Sequence, residues 1–230
     1  MIDFHIVLSP GAEGGLTVAS ALHYAALAGI RFAGLVIPSD GSNFSCIKTL
    51  AEQVRRYSLY ANVEACLGVE LRHLPPALIP AAIQEARNAG CSLVMVYGET
   101  LCDQVETGTN FAAIEGRADV LVHPGLIDAE AAALAAEKHV ALEFTSCPRH
   151  ALTNAHVASM ALRFGCALVR GSAATCASEL TTRTVWPLII RGADVFGHKD
   201  NKSNLFELLK KSEENMIREL LLEQKEAKKN

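Results

Sequence analysis

Short apolar runs alternate along this chain with longer stretches in which apolar positions recur every three or four residues, a pattern that predicts parallel strands joined by helical crossovers. Strands are expected over Asp3 to Leu8, Phe32 to Ile37, Asn62 to Leu71, Ser92 to Tyr97, Val120 to His123, Val140 to Thr145 and Ala167 to Arg170. Helices are expected over Leu16 to Ala28, Ser45 to Tyr60, Pro76 to Ala89, Asn110 to Glu115, Asp128 to His139 and Asn154 to Phe164. Gly29, Gly90 and Gly165 fall just beyond three of these helices, where a left-handed cap favours a residue without Cβ, and Pro75-Pro76 suits a first helical turn. Leu93-Val94-Met95-Val96 and Val120-Leu121-Val122 are apolar at consecutive positions, as strands buried on both faces are.

A closed or nearly closed barrel is favoured over an open doubly wound sheet, because no Gly-x-Gly-x-x-Gly follows the first strand; Gly11, Gly14 and Gly15 have the wrong spacing. After Arg170 the pattern predicts a further helix over Ser178 to Val195, interrupted near Pro187, whose ring removes a backbone donor. Residues 197–202 read as a polar connection. Beyond them Leu205, Leu208, Leu209, Met216, Leu220, Leu221 and Leu222 form an apolar stripe at helical spacing, which either packs on the barrel or serves self-association. The organisation is therefore a barrel domain over residues 1–200 followed by a charged amphipathic helix over 201–230.

Composition narrows the class. At 230 residues, 50% hydrophobic and 20% charged, the chain can bury one sizeable core and carries no linker-like segment. There is no basic leader and no apolar run of the ~20 residues a bilayer span requires, so a cytoplasmic protein is expected. Seven cysteines, an odd number without Cys-x-x-Cys spacing, read as small buried hydrophobes, with Cys102 and Cys147 in predicted loops as the candidates for a reactive thiol. A net charge of -4 weighs against nucleic acid as a partner. The lysines and glutamates near the carboxyl end are interleaved, as on an exposed helix rather than a polybasic arm.

In a parallel barrel, reactive groups project from the carboxyl ends of the strands. The polar residues found there are His5, Glu70, Tyr97, Glu99, His123 and Glu143. Five segments carry a resemblance to a known family: Asp3-Phe4-His5; Gly68-Val69-Glu70-Leu71; Gly98-Glu99-Thr100 with Gly108-Thr109-Asn110; His123-Pro124-Gly125; and Leu142-Glu143-Phe144-Thr145-Ser146 running into Leu152-Thr153-Asn154-Ala155-His156. In these the chain resembles the polymerase and histidinol phosphatase (PHP) superfamily, in its histidinol-phosphatase-like branch. The resemblance implies a distorted seven-stranded TIM-like α/β barrel and ancestry among metal-dependent phosphoesterases.

Members of that family hold two or three divalent metals with His-x-His, Thr-Asp-His, Glu, His, His and Asp-x-His sets at successive strand ends. Against this pattern the chain keeps His5, Glu70 and His123, but has Val7 and Tyr97 where the family has histidine, Val36-Ile37-Pro38 for Thr-Asp-His, and Ala173-Ala174-Thr175 for Asp-x-His. The expectation is a degenerate metal site that binds no metal or one divalent ion, zinc or manganese, and supports at most weak phosphoesterase activity. Asp40 and Glu13 stand where replacement ligands could lie; Arg149 and His150 are the candidate catalytic groups. Tyr97, Glu99, Asn154 and His156 are candidates for binding a phosphate or small anion together with helix amino termini. A structural reading competes with this one: His5, His123 and Glu70 satisfy one another as buried polar groups, while Thr109 or Asn110 and Thr153 or Asn154 cap helices. On that reading the chain is a non-catalytic binding or assembly module, similar to the barrel subunit of archaeal ribonuclease P. A third reading makes Tyr97 and Glu143 the acid and base of a metal-independent activity.

Overall fold

The computed structural model describes residues 1–42, 44–193 and 205–226, with side chains to residue 222. Strands and helices alternate as β1 (Ile2–Val7), α1 (Val18–Leu27), β2 (Phe32–Ser39), α2 (Ile47–Ala61), β3 (Glu64–Leu71), α3 (Ile79–Asn88), β4 (Leu93–Tyr97), α4 (Thr109–Glu115), β5 (Val120–Val122), α5 (Ala129–Lys138), β6 (Ala141–Thr145), α6 (Asn154–Phe164), β7 (Leu168–Gly171), α7 (Trp186–Ala193) and α8 (Leu205–Glu226). The seven strands form one parallel sheet in chain order. Among the described residues it closes on itself through one bridge between Ile6 and Ala174, where Val7 N donates to Ala174 O at 2.8 Å. The result is a nearly closed seven-stranded α/β barrel of TIM type, with an added C-terminal helix.

Inward-facing side chains, among them Phe4, Phe32, Cys66, Met95, Val120 and Val169, form the barrel interior. The opposite strand faces pack with Leu22, Ile47, Ile83, Ala135 and Val157 of the surrounding helices in a second, larger core. Gly29, Gly90 and Gly165 all have positive φ where their helices end, as the sequence predicts.

Two departures concern the carboxyl third. Over Ser178 to Val195 there is no long interrupted helix: a short 3-10 turn at Ala177–Glu179 precedes α7, and Pro187 is the second residue of α7. Proline begins this helix because the first-turn N–H groups have no intrahelical acceptor to lose. The apolar stripe of α8 faces the barrel: Leu205 and Leu209 join the outer core and Leu220 the inner cluster. Among the described residues β1 and β7 share no ladder beyond the Ile6–Ala174 bridge, and α8 packs against β7. The fully buried Glu213 accepts from Arg170 N at 3.1 Å, Nε at 2.7 Å and Nη2 at 2.6 Å. Arg170 also lies over the Trp186 ring, so one guanidinium links β7, α7 and α8. Residues 197–202 lie outside the described residues. Among those described, no helix is long and apolar enough to cross a membrane.

Cysteine burial follows the expectation in part. Cys66, Cys91 and Cys166 are buried, and burial pushes the first two thiols up to about 12 and the third to about 11, which keeps them inert. Cys46 is exposed, whereas Cys102, Cys147 and Cys176 are half-buried.

Candidate metal centre

A β-bulge aims the first functional side chain. Between Asp3 and Ile6 the pairing of β1 with β2 shifts, so three residue steps on β1 face two on β2. The ladder cannot absorb the extra N–H, and Asp3 Oδ1 accepts it from His5 at 3.0 Å, together with Ser172 N at 3.0 Å. Bulges of this kind redirect a side chain locally. His5 is thereby turned toward Glu143 of β6, whose Oε1 lies 2.8 Å from His5 Nδ1. Gly171 leaves the room for this pair: a Cβ there would stand 2.0 Å from Glu143 Oε1 and 2.7 Å from His5 Cβ.

The second imidazole is held by a strained loop. His123 follows β5 with φ +48°, a left-handed conformation rare for a residue with Cβ and further disfavoured before Pro124. Its backbone N donates to Glu143 Oε2 at 3.2 Å, and its Nδ1 lies 2.8 Å from the same oxygen, off the direction of a good hydrogen bond. Strain that persists inside a packed site is what functional positions show. One carboxylate therefore spans two imidazoles, and one donor atom each from His5, His123 and Glu143 fall within 4.8 Å of one another.

Glu70, at the end of β3, completes the cluster. Its Oε2 stands 3.4 Å from His5 Nε2 and accepts from Arg72 Nε at 2.7 Å and from Arg72 Nη2. His5, Glu70, Glu143 and His123 are all buried. For His5, Glu70 and Glu143 burial alone would favour the neutral forms, but opposite charges outweigh it. The carboxylates of Glu70 and Glu143 push His5 up to about 10, His5 and Arg72 pull Glu70 down to about 2, and the two imidazoles hold Glu143 well below the usual carboxylate range. Asp3 is raised to about 6 by burial, against hydrogen bonds from Ser172 and His5.

A third histidine lies over the cluster. The His150 ring stacks on His123 with centroids 3.8 Å apart and planes 14° apart. Its Nδ1 is 2.7 Å from Thr100 Oγ1 and its Nε2 3.3 Å from the Tyr97 hydroxyl, which donates to Asp103. Burial and the neighbouring His123 lower His150 to about 4, so it stays neutral. Arg149 is mostly exposed and donates to Asp103 Oδ1 at 2.7 Å. Above these residues opens a cavity of about 670 Å³, reached by Arg72, His123, Arg149 and His150 and walled on the far side by Thr175, Thr181 and Thr182.

The mouth thus gathers His5, Glu70, His123, Tyr97, Arg149 and His150. The remaining candidate residues point elsewhere. Glu99 Oε1 accepts from Gly108 N at 3.0 Å and Asn110 N at 2.9 Å, so it caps α4. Asn110 joins Glu99 N to Pro124 O, and the side chains of Thr109 and Thr153 make no cap bond. Asn154 clamps both backbone groups of Thr145, at 3.1 and 2.7 Å, and His156 Nε2 is 2.7 Å from Ile127 O. Asp40 is exposed and bonded to Ser42, and Glu13 is exposed in the loop before α1. Sequence reasoning missed Arg72 and the bridging position of Glu143. The Glu70-Leu71-Arg72 spacing was the available signal, since residues two apart at a strand end share a face.

Donor atoms of His5, His123 and Glu143 lie close enough together to hold a metal ion. His5 Nε2 and Glu70 Oε1 are buried without a hydrogen-bond partner, an arrangement proteins avoid unless something else occupies the site. Two ligands bound tetrahedrally to zinc lie ~3.3 Å apart, close to the His5 Nε2 to Glu70 Oε2 separation of 3.4 Å. With Nδ1 of both histidines turned to Glu143, the arrangement also matches the carboxylate-oriented imidazoles of metal sites.

No family model matches the chain. In fold it is similar to an amidohydrolase from Burkholderia ambifaria with bound Zn, with a TM-score of 0.50 and 12% identity over 88% of this chain and 72% of that one. In sequence it is 34% identical over 168 residues to the uncharacterized protein MJ1295 of Methanocaldococcus jannaschii, covering 71% of this chain and 76% of that protein. The chain belongs to the family of this archaeal protein.

Proposed function

We propose that the protein is a PHP-like, metal-dependent hydrolase of the phosphoesterase type whose centre holds a single divalent ion, with slow turnover of a phosphate ester. His5, Glu70 and His123 would hold the ion, with Glu143 orienting both imidazoles. The observation that carries this reading is the buried His5 Nε2, which makes no hydrogen bond and stands 3.4 Å from Glu70 Oε2 while its Nδ1 is held by Glu143. When bound, the ion would supply Lewis acidity toward a phosphoryl oxygen and lower the pKa of water.

The chain's own groups divide the remaining work. Glu143 would orient the His5 ring through its Nδ1 and hold His123 by its backbone N–H, with the His123 Nδ1 2.8 Å away as an ion pair. His150, neutral and stacked on His123, blocks rotation of that ring and presents an uncharged wall to the cavity. Arg149 at the rim and Arg72 at the inner end place positive charge on both sides of the space a phosphate would enter. The neutral Tyr97 hydroxyl, its ionisation opposed by burial and by Asp103, holds Asp103 and through it Arg149.

The test is metal analysis of protein purified without chelator, followed by chromogenic phosphate monoesters and diesters with added Zn2+ or Mn2+. One ion per chain is expected, with slow ester cleavage lost in His123→Ala. Protein that takes up no ion and cleaves neither ester would contradict the proposal. One observation favours the second reading, a non-catalytic module: with His5 protonated, Glu70, Glu143, His5 and Arg72 already balance two negative with two positive charges. That reading predicts a stable, folded protein indifferent to chelators.

A further inference from the structure

Arg72 lies one residue beyond β3, and its backbone N is anchored to Ser39 O at 2.9 Å. Its side chain reaches back to the fully buried Glu70, donating from both Nε and Nη2 to the oxygen that also faces His5. The guanidinium rests over the Tyr97 ring, 5.3 Å from its centroid, where the π face favours a cation. It separates two open spaces, the 670 Å³ cavity above His123 and another of about 880 Å³ between the ends of β1, β2 and β3. A side chain 30% exposed, with space on both sides, has room to extend into solvent but folds inward onto a buried carboxylate. Without that cation Glu70 would face only His5.

We propose that Arg72 is a built-in cation at Glu70, taking the charge-neutralising place of a metal ion on that side of the carboxylate and limiting the centre to the one ion beside His5. This rests on the single-ion reading above. Arg72 is a positioning residue here: it sets how much negative charge the centre offers, and a dication beside His5 feels its repulsion directly. A neighbouring opposite charge shifts a carboxylate by about 1–3 pKa units, and a competing cation experiences a comparable penalty.

The test is isothermal titration of the full chain with Zn2+ and with Mn2+, comparing the wild type with Arg72→Gln and Arg72→Lys, and with circular dichroism to establish folding. Arg72→Gln is expected to bind roughly 10- to 1,000-fold more tightly or to take up a second ion. Arg72→Lys, which keeps the charge, should stay close to the wild type. Where Arg72→Gln does not fold, Arg72→Met, which keeps an apolar stem against Tyr97, carries the same expectation. A folded neutral variant with wild-type affinity and stoichiometry overturns the inference. A wild type that binds no ion beside a neutral variant that does would overturn the single-ion reading while supporting the inference.

Discussion

Gly171→Ala adds one methyl group at the point where β7 passes behind the His5–Glu143 pair. The new Cβ would stand 2.0 Å from Glu143 Oε1, 3.0 Å from Glu143 Cδ and 2.7 Å from His5 Cβ. Carbon contacts this short do not persist, so strand or carboxylate must move by about an ångström. Strand β7 is held by β6 on one side and by α8 on the other, and Glu143 gives way more readily. Its displacement removes the 2.8 Å contacts to His5 and His123 and leaves buried His5 with Glu70 alone as its counter-charge. Overpacking costs about 1–3 kcal/mol, and breaking a buried charge pair about 3–5 kcal/mol. The two overlap, because relieving the clash is what breaks the pair, so about 3–5 kcal/mol is expected. For a domain of this size that is a fall in Tm of about 6–20 °C. The assay is thermal unfolding followed by circular dichroism, with Gly192→Ala as control. Gly192 lies in α7 with no atom within 4 Å of an added Cβ, and alanine there should be neutral or stabilising by about 0.5–1 kcal/mol. Gly171→Ala within 1 °C of the wild type would refute the packing argument.

Further outcomes follow from the same contacts. For metal-free protein, the stability that His5 contributes is complete below its ordinary value of 6.5 and lost as pH rises toward about 10, while that of Glu70 is complete above 4.5 and lost as pH falls toward about 2. Asp3, raised from 3.8 to about 6, adds a part that fades over that interval. Urea unfolding against pH should therefore peak between about 4.5 and 6.5; a maximum above pH 8 would contradict the charge assignment. Because an ion displaces the His5 proton, apparent zinc affinity should rise with pH between 6.5 and about 10, measured by competition with a chromophoric chelator; a flat profile would count against His5 as a ligand. Glu213→Ala strands Arg170 beside α8 and should cost about 3–5 kcal/mol, with faster proteolysis within α8; unchanged cleavage would mean that other contacts hold the helix.

Much of the fold was legible because a two-faced buried strand and an amphipathic helix leave different periods in the chain, and because glycine marks the left-handed cap. The approximate place of the site was legible for a related reason: parallel barrels put variable chemistry at one end of the strands, and His5, Glu70, His123 and Glu143 all stand there. Direction was not. The bulge that turns His5 inward depends on its pairing with Phe32 to Val36, and His123 adopts a positive φ before proline against local preference. Glu99, Asn154 and His156 have side chains suited to ligands, yet each spends its hydrogen bonds on backbone groups brought close only by tertiary structure. Pro187 was read as a break because proline both ends and starts helices, and only the absence of a helix before Trp186 decides between them. The centre is better furnished than His5, Glu70 and His123 alone suggested, since Glu143 contacts both histidines and Arg72 engages Glu70.

The proposed function places one divalent ion between His5 Nε2 and Glu70, with His123 beside it and Glu143 behind. Anomalous diffraction at the zinc edge from crystals grown with stoichiometric Zn2+ tests it most directly. One strong peak per chain is expected, about 2.0–2.2 Å from His5 Nε2 and from a Glu70 oxygen. Two peaks at the mouth, or none with the His5–Glu143–His123 contacts intact, would contradict it.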